Sequence, residues 1–142
     1  MNRFISYLAM IMLLIVCGCA QEKKSPIEGA WKWVYAEYRL DNVEAPVQDD
    51  ADIIKFWTGG HFSFIGQLKS GSDIEDRYGW GTYELNGNRY VEHVTFHYDE
   101  VYQGESVRMI LEIRNDTLIQ KWPVDENWVL PGNYNFEKYV RR

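Results

Sequence analysis

From residue 27 onward, apolar positions recur every second residue, the period of a half-buried strand and not of a helix. Trp31, Trp33 and Tyr35 alternate with Lys32 and Val34, which predicts a first strand of about ten residues. Residues 53–57 and 61–65 flank Gly59-Gly60, a hairpin signal, and residues 78–85 and 89–98 flank Asn86-Gly87-Asn88. Residues 107–114 and 117–122 flank Asn115-Asp116, two residue types that tolerate left-handed backbone. A last strand is expected over 134–141. Between them, 41–52 holds Pro46 and several acids and reads as a loop or one short helical turn, and 69–76 reads as a polar loop. No helical stripe and no internal repeat is visible. Strands joined in sequence order by short hairpins form a meander, and a meander loses its exposed edges by closing. The expected fold is therefore an all-β, antiparallel up-and-down barrel of eight or slightly more strands. A two-sheet sandwich competes, but it needs longer connections than most found here. Such a small barrel is either filled by side chains or holds one small ligand.

The first twenty residues do not belong to that pattern. After Arg3, residues 4–16 form an almost unbroken apolar run, shorter than the roughly 20 residues a spanning helix needs. Residues 1–18 thus read as a signal peptide, with an uncleaved N-terminal anchor as the competing reading. The run ends in Val16-Cys17-Gly18-Cys19-Ala20, which resembles the lipoprotein processing motif. Cys19 fits as the lipidated residue and Cys17 does not. Residues 19–26 would then be the lipidated Cys and a polar tether, and 27–142 the folded domain. With Cys17 removed and Cys19 lipidated, neither a free thiol nor a disulfide remains. The resemblance implies a bacterial cell envelope, and Ala20, where an inner-membrane retention signal has Asp, points to the outer membrane.

Composition narrows the partners. The 142 residues carry 15 Lys+Arg against 21 Asp+Glu, a net charge of -6, which argues against nucleic acid. Without Arg3 the balance is -7, so anionic headgroups repel the domain, and the N-terminal lipid is the expected membrane contact. Aromatic residues make up 15% of the chain, enough to line a cavity or to fill a tight barrel.

Gly29-Ala30-Trp31 stands where lipocalins have Gly-x-Trp at the start of the first strand. Together with His61-Phe62-Ser63-Phe64, Gly81-Thr82-Tyr83-Glu84, Tyr90-Val91-Glu92 and Glu137-Lys138-Tyr139-Val140-Arg141, it resembles the small bacterial lipocalin-like domains. The resemblance covers nearly all of 27–142 and implies a calycin-type barrel, without implying a reaction. There is no lipocalin disulfide. In such barrels a late Arg packs over the first-strand Trp, which assigns Arg141 and Trp31 a structural role.

If Trp31 points inward, Trp33, Tyr35 and Glu37 share its face. On the strand over 89–98, Tyr90, Glu92, Val94, Phe96 and Tyr98 form one face, expected inside, opposite Arg89, His93, Thr95 and His97. Val107, Met109, Leu111 and Ile113 make the cleanest apolar face. Glu92 is a carboxylate among aromatics and must pair, hydrogen-bond or take a proton. Tyr83, Tyr90, His61 and Arg39 are its candidate partners. It either fixes the polar end of a ligand or satisfies groups inside the barrel. A catalytic role lacks a second poised group, so no catalytic residue is expected. His93 and His97 on one strand lie about 13 Å apart at ~3.3 Å per residue, too far to share a metal. Asp73, Glu75 and Asp76 read as a solvated loop and not as a calcium site. Trp128 lies in an apolar loop, 123–133, that would guard a barrel mouth, touch a partner or cap the core.

The expectation is a monomeric, non-enzymatic envelope lipoprotein, with no cofactor or metal, that binds a small hydrophobic molecule through Trp33, Tyr35, Tyr83, Tyr90, Glu92 and Phe96. The alternative is a filled barrel that contacts another envelope protein through its loops.

Overall fold

The computed structural model describes residues 24–40, the backbone of 43–46, and 50–142. The proposed signal segment and Cys19 lie outside the described residues. Nine strands follow one another: β1 (Gly29–Leu40), β2 (Val43–Pro46), β3 (Asp50–Thr58), β4 (His61–Ser70), β5 (Asp73–Asn86), β6 (Arg89–His97), β7 (Ser106–Arg114), β8 (Thr117–Trp122) and β9 (Asn133–Arg141). One 3-10 turn, Glu100–Tyr102, links β6 to β7. Neighbouring strands pair antiparallel in chain order, and β9 returns to β1 over residues from Trp31↔Arg141 to Leu40↔Asn133. Eight strands therefore close an up-and-down barrel, and β2 adds a short pairing along the upper half of β1. The closed meander is consistent with a lipocalin-like barrel.

Two expected loops are largely strand. β4 and β5 continue through 69–76, pairing to Ser70↔Asp73 around Gly71, whose φ of 62° suits the turn. Backbone pairing carries this ladder beyond the apolar stripe, because exposed strand ends need no apolar face. Within 41–52, β2 and the start of β3 replace the expected loop or helical turn.

The lower half of the barrel is solid. Ile27, Trp31, Trp57, Phe62, Tyr90, Met109, Leu111, Leu118 and Tyr139 are buried there in one cluster. Trp57 lies edge-on to Trp31, Tyr90 and Tyr139, with centroids 6.3–6.5 Å apart, the arrangement favoured by ring quadrupoles. Across the bottom, the Arg141 guanidinium sits 4.2 Å from the Trp31 ring and donates to Glu28 O at 2.9 Å and Pro26 O at 3.0 Å. Trp31 Nε1 donates to Ile27 O at 2.8 Å, so one Trp and one Arg hold the incoming chain against the barrel.

Arg141→Ala should lower unfolding stability by about 1–2 kcal/mol, the combined scale of an exposed cation–π contact and charge-assisted hydrogen bonds. Urea denaturation reads this loss, and unchanged stability would remove Arg141 as a closing element.

Candidate functional site

Four inward-facing strands change character at the same height. Trp57, Tyr90, Leu118 and Tyr139 belong to the packed lower core; the next inward residue toward the top of the barrel is, in turn, Lys55, Glu92, Gln120 and Glu137. These four form a polar layer on top of the solid core. Above it the barrel is hollow, with a cavity of about 380 Å³. Its walls include Trp33, Phe64, Val94, Tyr102, Val107 and Trp122, and Arg77, His97 and Asp99 also face it.

The layer is tightly connected. Lys55 Nζ lies 2.5 Å from Glu92 Oε1, and their side chains are 5% and 6% exposed. Tyr90 OH donates to the same oxygen at 2.7 Å while accepting from Trp57 Nε1 at 2.6 Å. Lys55 Nζ also reaches Gln120 Oε1 at 3.5 Å, and Gln120 Nε2 donates to Glu137 Oε2 at 3.3 Å. Tyr139 OH donates to that Glu137 oxygen at 2.7 Å. Aromatic faces shield the ammonium: Lys55 Nζ is 5.1 Å from the Trp57 centroid and 5.4 Å from that of Phe62. Burial pushes the Tyr90 and Tyr139 hydroxyls well above their ordinary range, so both remain donors to their carboxylates. Burial also raises the Glu137 carboxyl above its ordinary 4.5, against the opposing pull of Lys55, Tyr139 and Trp122. His97 is pushed down by burial, which favours its neutral form.

Of the expected ligand residues, the structure brings Trp33 and Glu92 to the cavity. Tyr90 lies just beneath, within the core, and Tyr83 packs on it with centroids 5.6 Å apart. Tyr35 and Phe96 do not face the interior. Between Trp33↔Tyr139 and Tyr35↔Lys138 the register slips by one, leaving Val34 as a bulge. Tyr35 is thereby turned outward beside Phe136, and its hydroxyl donates to Glu37 Oε2 at 2.7 Å. A second bulge separates Gly81↔Val94 from Trp80↔Phe96, with Thr95 as the extra residue. It turns Phe96 outward, where it is 45% exposed and stacks on Tyr78, and turns His97 inward.

Glu92 meets Tyr90, one of its four expected partners, but its countercharge is Lys55. His61 is exposed and contacts Gly59 O, and Arg39 pairs with Glu37. Lys55 and Gln120 carried a legible signal, since each interrupts an alternating apolar stripe, Ile53-x-Lys55-x-Trp57 and Leu118-x-Gln120-x-Trp122; Glu137 carried none, because Asn135 and Arg141 share its face with Tyr139. Trp128 neither guards the mouth nor caps the core. It belongs neither to the cavity lining nor to the buried core cluster; Val124 N bonds Arg108 O on β7, and Arg89 lies 5.3 Å over the Trp128 ring. Among the described residues no group of three or more His, Cys, Asp or Glu is placed to hold a metal.

The chain matches no protein-family model, and comparison with curated proteins finds no similar one.

Lys55→Met should cost about 3–5 kcal/mol, because Glu92 would lose its countercharge in a buried site. Lys55→Met with Glu92→Leu should recover most of that loss. Equal destabilisation of the single and double variants in urea would show that the pair does not act as a unit. Glu137 gives a second expectation. A carboxyl raised on folding contributes stability below its unfolded pKa, and that contribution is lost as pH rises through the folded value. Glu137→Gln should therefore flatten the decline in stability above pH ~4.5, measured by unfolding across pH.

Proposed function

We propose that the chain is a binding protein for a small, largely apolar molecule with a polar end, held in the upper half of the barrel. The observation that carries this reading is the cavity of about 380 Å³ standing on a polar layer, a volume within the ~300–1,000 Å³ usual for ligand sites. Aromatic and aliphatic walls with a few convergent polar groups are the general make-up of such sites. Trp33, Phe64, Tyr102, Val107 and Trp122 would take the apolar body, and Glu92, Glu137 and Lys55 the polar end. No catalytic step is needed for this role, since Glu92 is already committed to Lys55 and Tyr90.

The N-terminal pattern supports a setting in the bacterial envelope, with lipid on Cys19 and the barrel carried as a monomer at the outer membrane. A filled barrel acting through its loops is the weaker alternative. The hollow upper half weighs against it, as does the Arg89 guanidinium that lies over the Trp128 ring.

The neutral dye N-phenylnaphthylamine should brighten on mixing with the protein. Val107→Trp, which places a larger ring against the cavity, should weaken that uptake by about tenfold or more while preserving cooperative unfolding. Equal uptake by both proteins would locate the dye elsewhere and remove the cavity as the binding site.

A further inference from the structure

The polar layer holds one cation and two carboxylates. Lys55 is taken by Glu92, whose Oε1 it shares with Tyr90. Glu137 receives hydrogen bonds from neutral donors, Tyr139 OH and Gln120 Nε2, both at Oε2, and the neutral Trp122 indole is the other uncharged group that favours its carboxylate. Its Oε1 accepts no hydrogen bond among the described residues. The side chain lies on the inward face and lines the cavity, yet it keeps partial exposure, unlike Gln120 and Tyr139 around it.

We propose that the cavity selects ligands bearing a protonated amine, with Glu137 as the residue that receives the ammonium and the aromatic walls taking the rest of the molecule. This rests on the reading of the barrel as a ligand-binding protein and adds the charge of the ligand. An ammonium at Glu137 Oε1 supplies the countercharge that the layer lacks. It also suits walls built from Trp33, Phe64, Tyr102 and Trp122, because aromatic faces attract cations in sites shielded from water. A carboxylate ligand in the same place would add a third negative charge to the layer. The net charge of -6 on the whole chain acts in the same direction, drawing cations inward.

Charge balance also sets a pH dependence. In the empty barrel, burial favours the protonated form of Glu137. An arriving ammonium needs the carboxylate, so its binding competes with protonation of Glu137 and strengthens as pH rises. The titratable groups that face Glu137 are Lys55 on β3, Glu92 on β6 and Tyr139 beside it on β9. Toward the mouth stand Glu37 on β1, Arg77 on β5, His97 and Tyr98 at the end of β6, and Asp99 and Tyr102 on the turn. Arg77 is paired with Glu75 and lies on Tyr98, with its Nε left without a partner, and Asp99 caps Val101 N; neither is among the charges that act on Glu137.

Isothermal titration with n-octylamine, octanol and octanoate separates the possibilities, because the three share one chain and differ in head-group charge. At pH 8 the amine should bind at least about tenfold more tightly than either of the others, a difference of ~1.4 kcal/mol. Its affinity should rise from pH 5 to pH 8, whereas that of octanol should stay constant. In Glu137→Gln the amine should lose its advantage and its pH dependence, with octanol little changed. The wild-type pH series stands even if that variant fails to fold. Octanol or octanoate binding as tightly as the amine would overturn the charge assignment and leave the binding function standing. Failure of all three ligands, together with failure of the neutral dye, would overturn both.

Discussion

A lysine and a glutamate meet inside the barrel with 2.5 Å between Nζ and Oε1, and much of the structure follows from that contact. Two charges removed from water must find each other and must have their remaining bonds satisfied, or the fold loses several kcal/mol. Tyr90 and Gln120 supply those bonds, and they recruit Trp57 on one side and Glu137 with Tyr139 on the other. The chain therefore spends four inward positions, on four different strands, on polar side chains. An apolar core cannot continue through such a layer. Below it the aromatic residues interlock; above it the barrel stays open.

Closure and hollowness are thus separate properties of this barrel. Closure rests on the β1–β9 ladder, which runs past the polar layer at Ala36↔Glu137, and on the Arg141 guanidinium laid over Trp31 at the bottom of the barrel. The solid lower half carries the burden of stability and leaves the upper half free to hold something other than protein. Small residues take part in this division: on the inward face of β5, a Cβ at Gly79 would lie 2.5 Å from the Phe64 ring, and that gap lets the ring lean over the cavity. Glu137, a carboxyl raised by burial, stands where the layer meets the cavity.

Much of this was legible in the chain and some was not, for identifiable reasons. Period-two alternation and Gly- or Asn-rich turns specified the meander, since a strand with one buried face must alternate. Glu92 stood out because a carboxylate among aromatics is conspicuous. Lys55 and Gln120 were just as visible in their own stripes, and Glu137 was hidden among Asn135 and Arg141 on a polar face; pairing any of them requires knowing which strands face each other across the barrel. Tyr35 and Phe96 were misplaced by strict alternation, since Val34 and Thr95 are bulges and each reverses every side chain beyond it. A bulge leaves no mark in the hydrophobic pattern when aromatic rings follow on both faces, as Phe96, His97 and Tyr98 do after Thr95. The strand ends over 69–76 were hidden for the opposite reason: their polar residues continue a backbone ladder that needs no apolar stripe.

Native mass spectrometry of the full chain, isolated without denaturation from its own cells, tests most directly whether the hollow half of the barrel is a binding site. The mass should exceed that of the denatured chain by one small molecule, with an amine and an apolar body, released on unfolding. Identical native and denatured masses, persisting after incubation with a total small-molecule extract of the same cells, would contradict it and leave the space above the polar layer without a ligand.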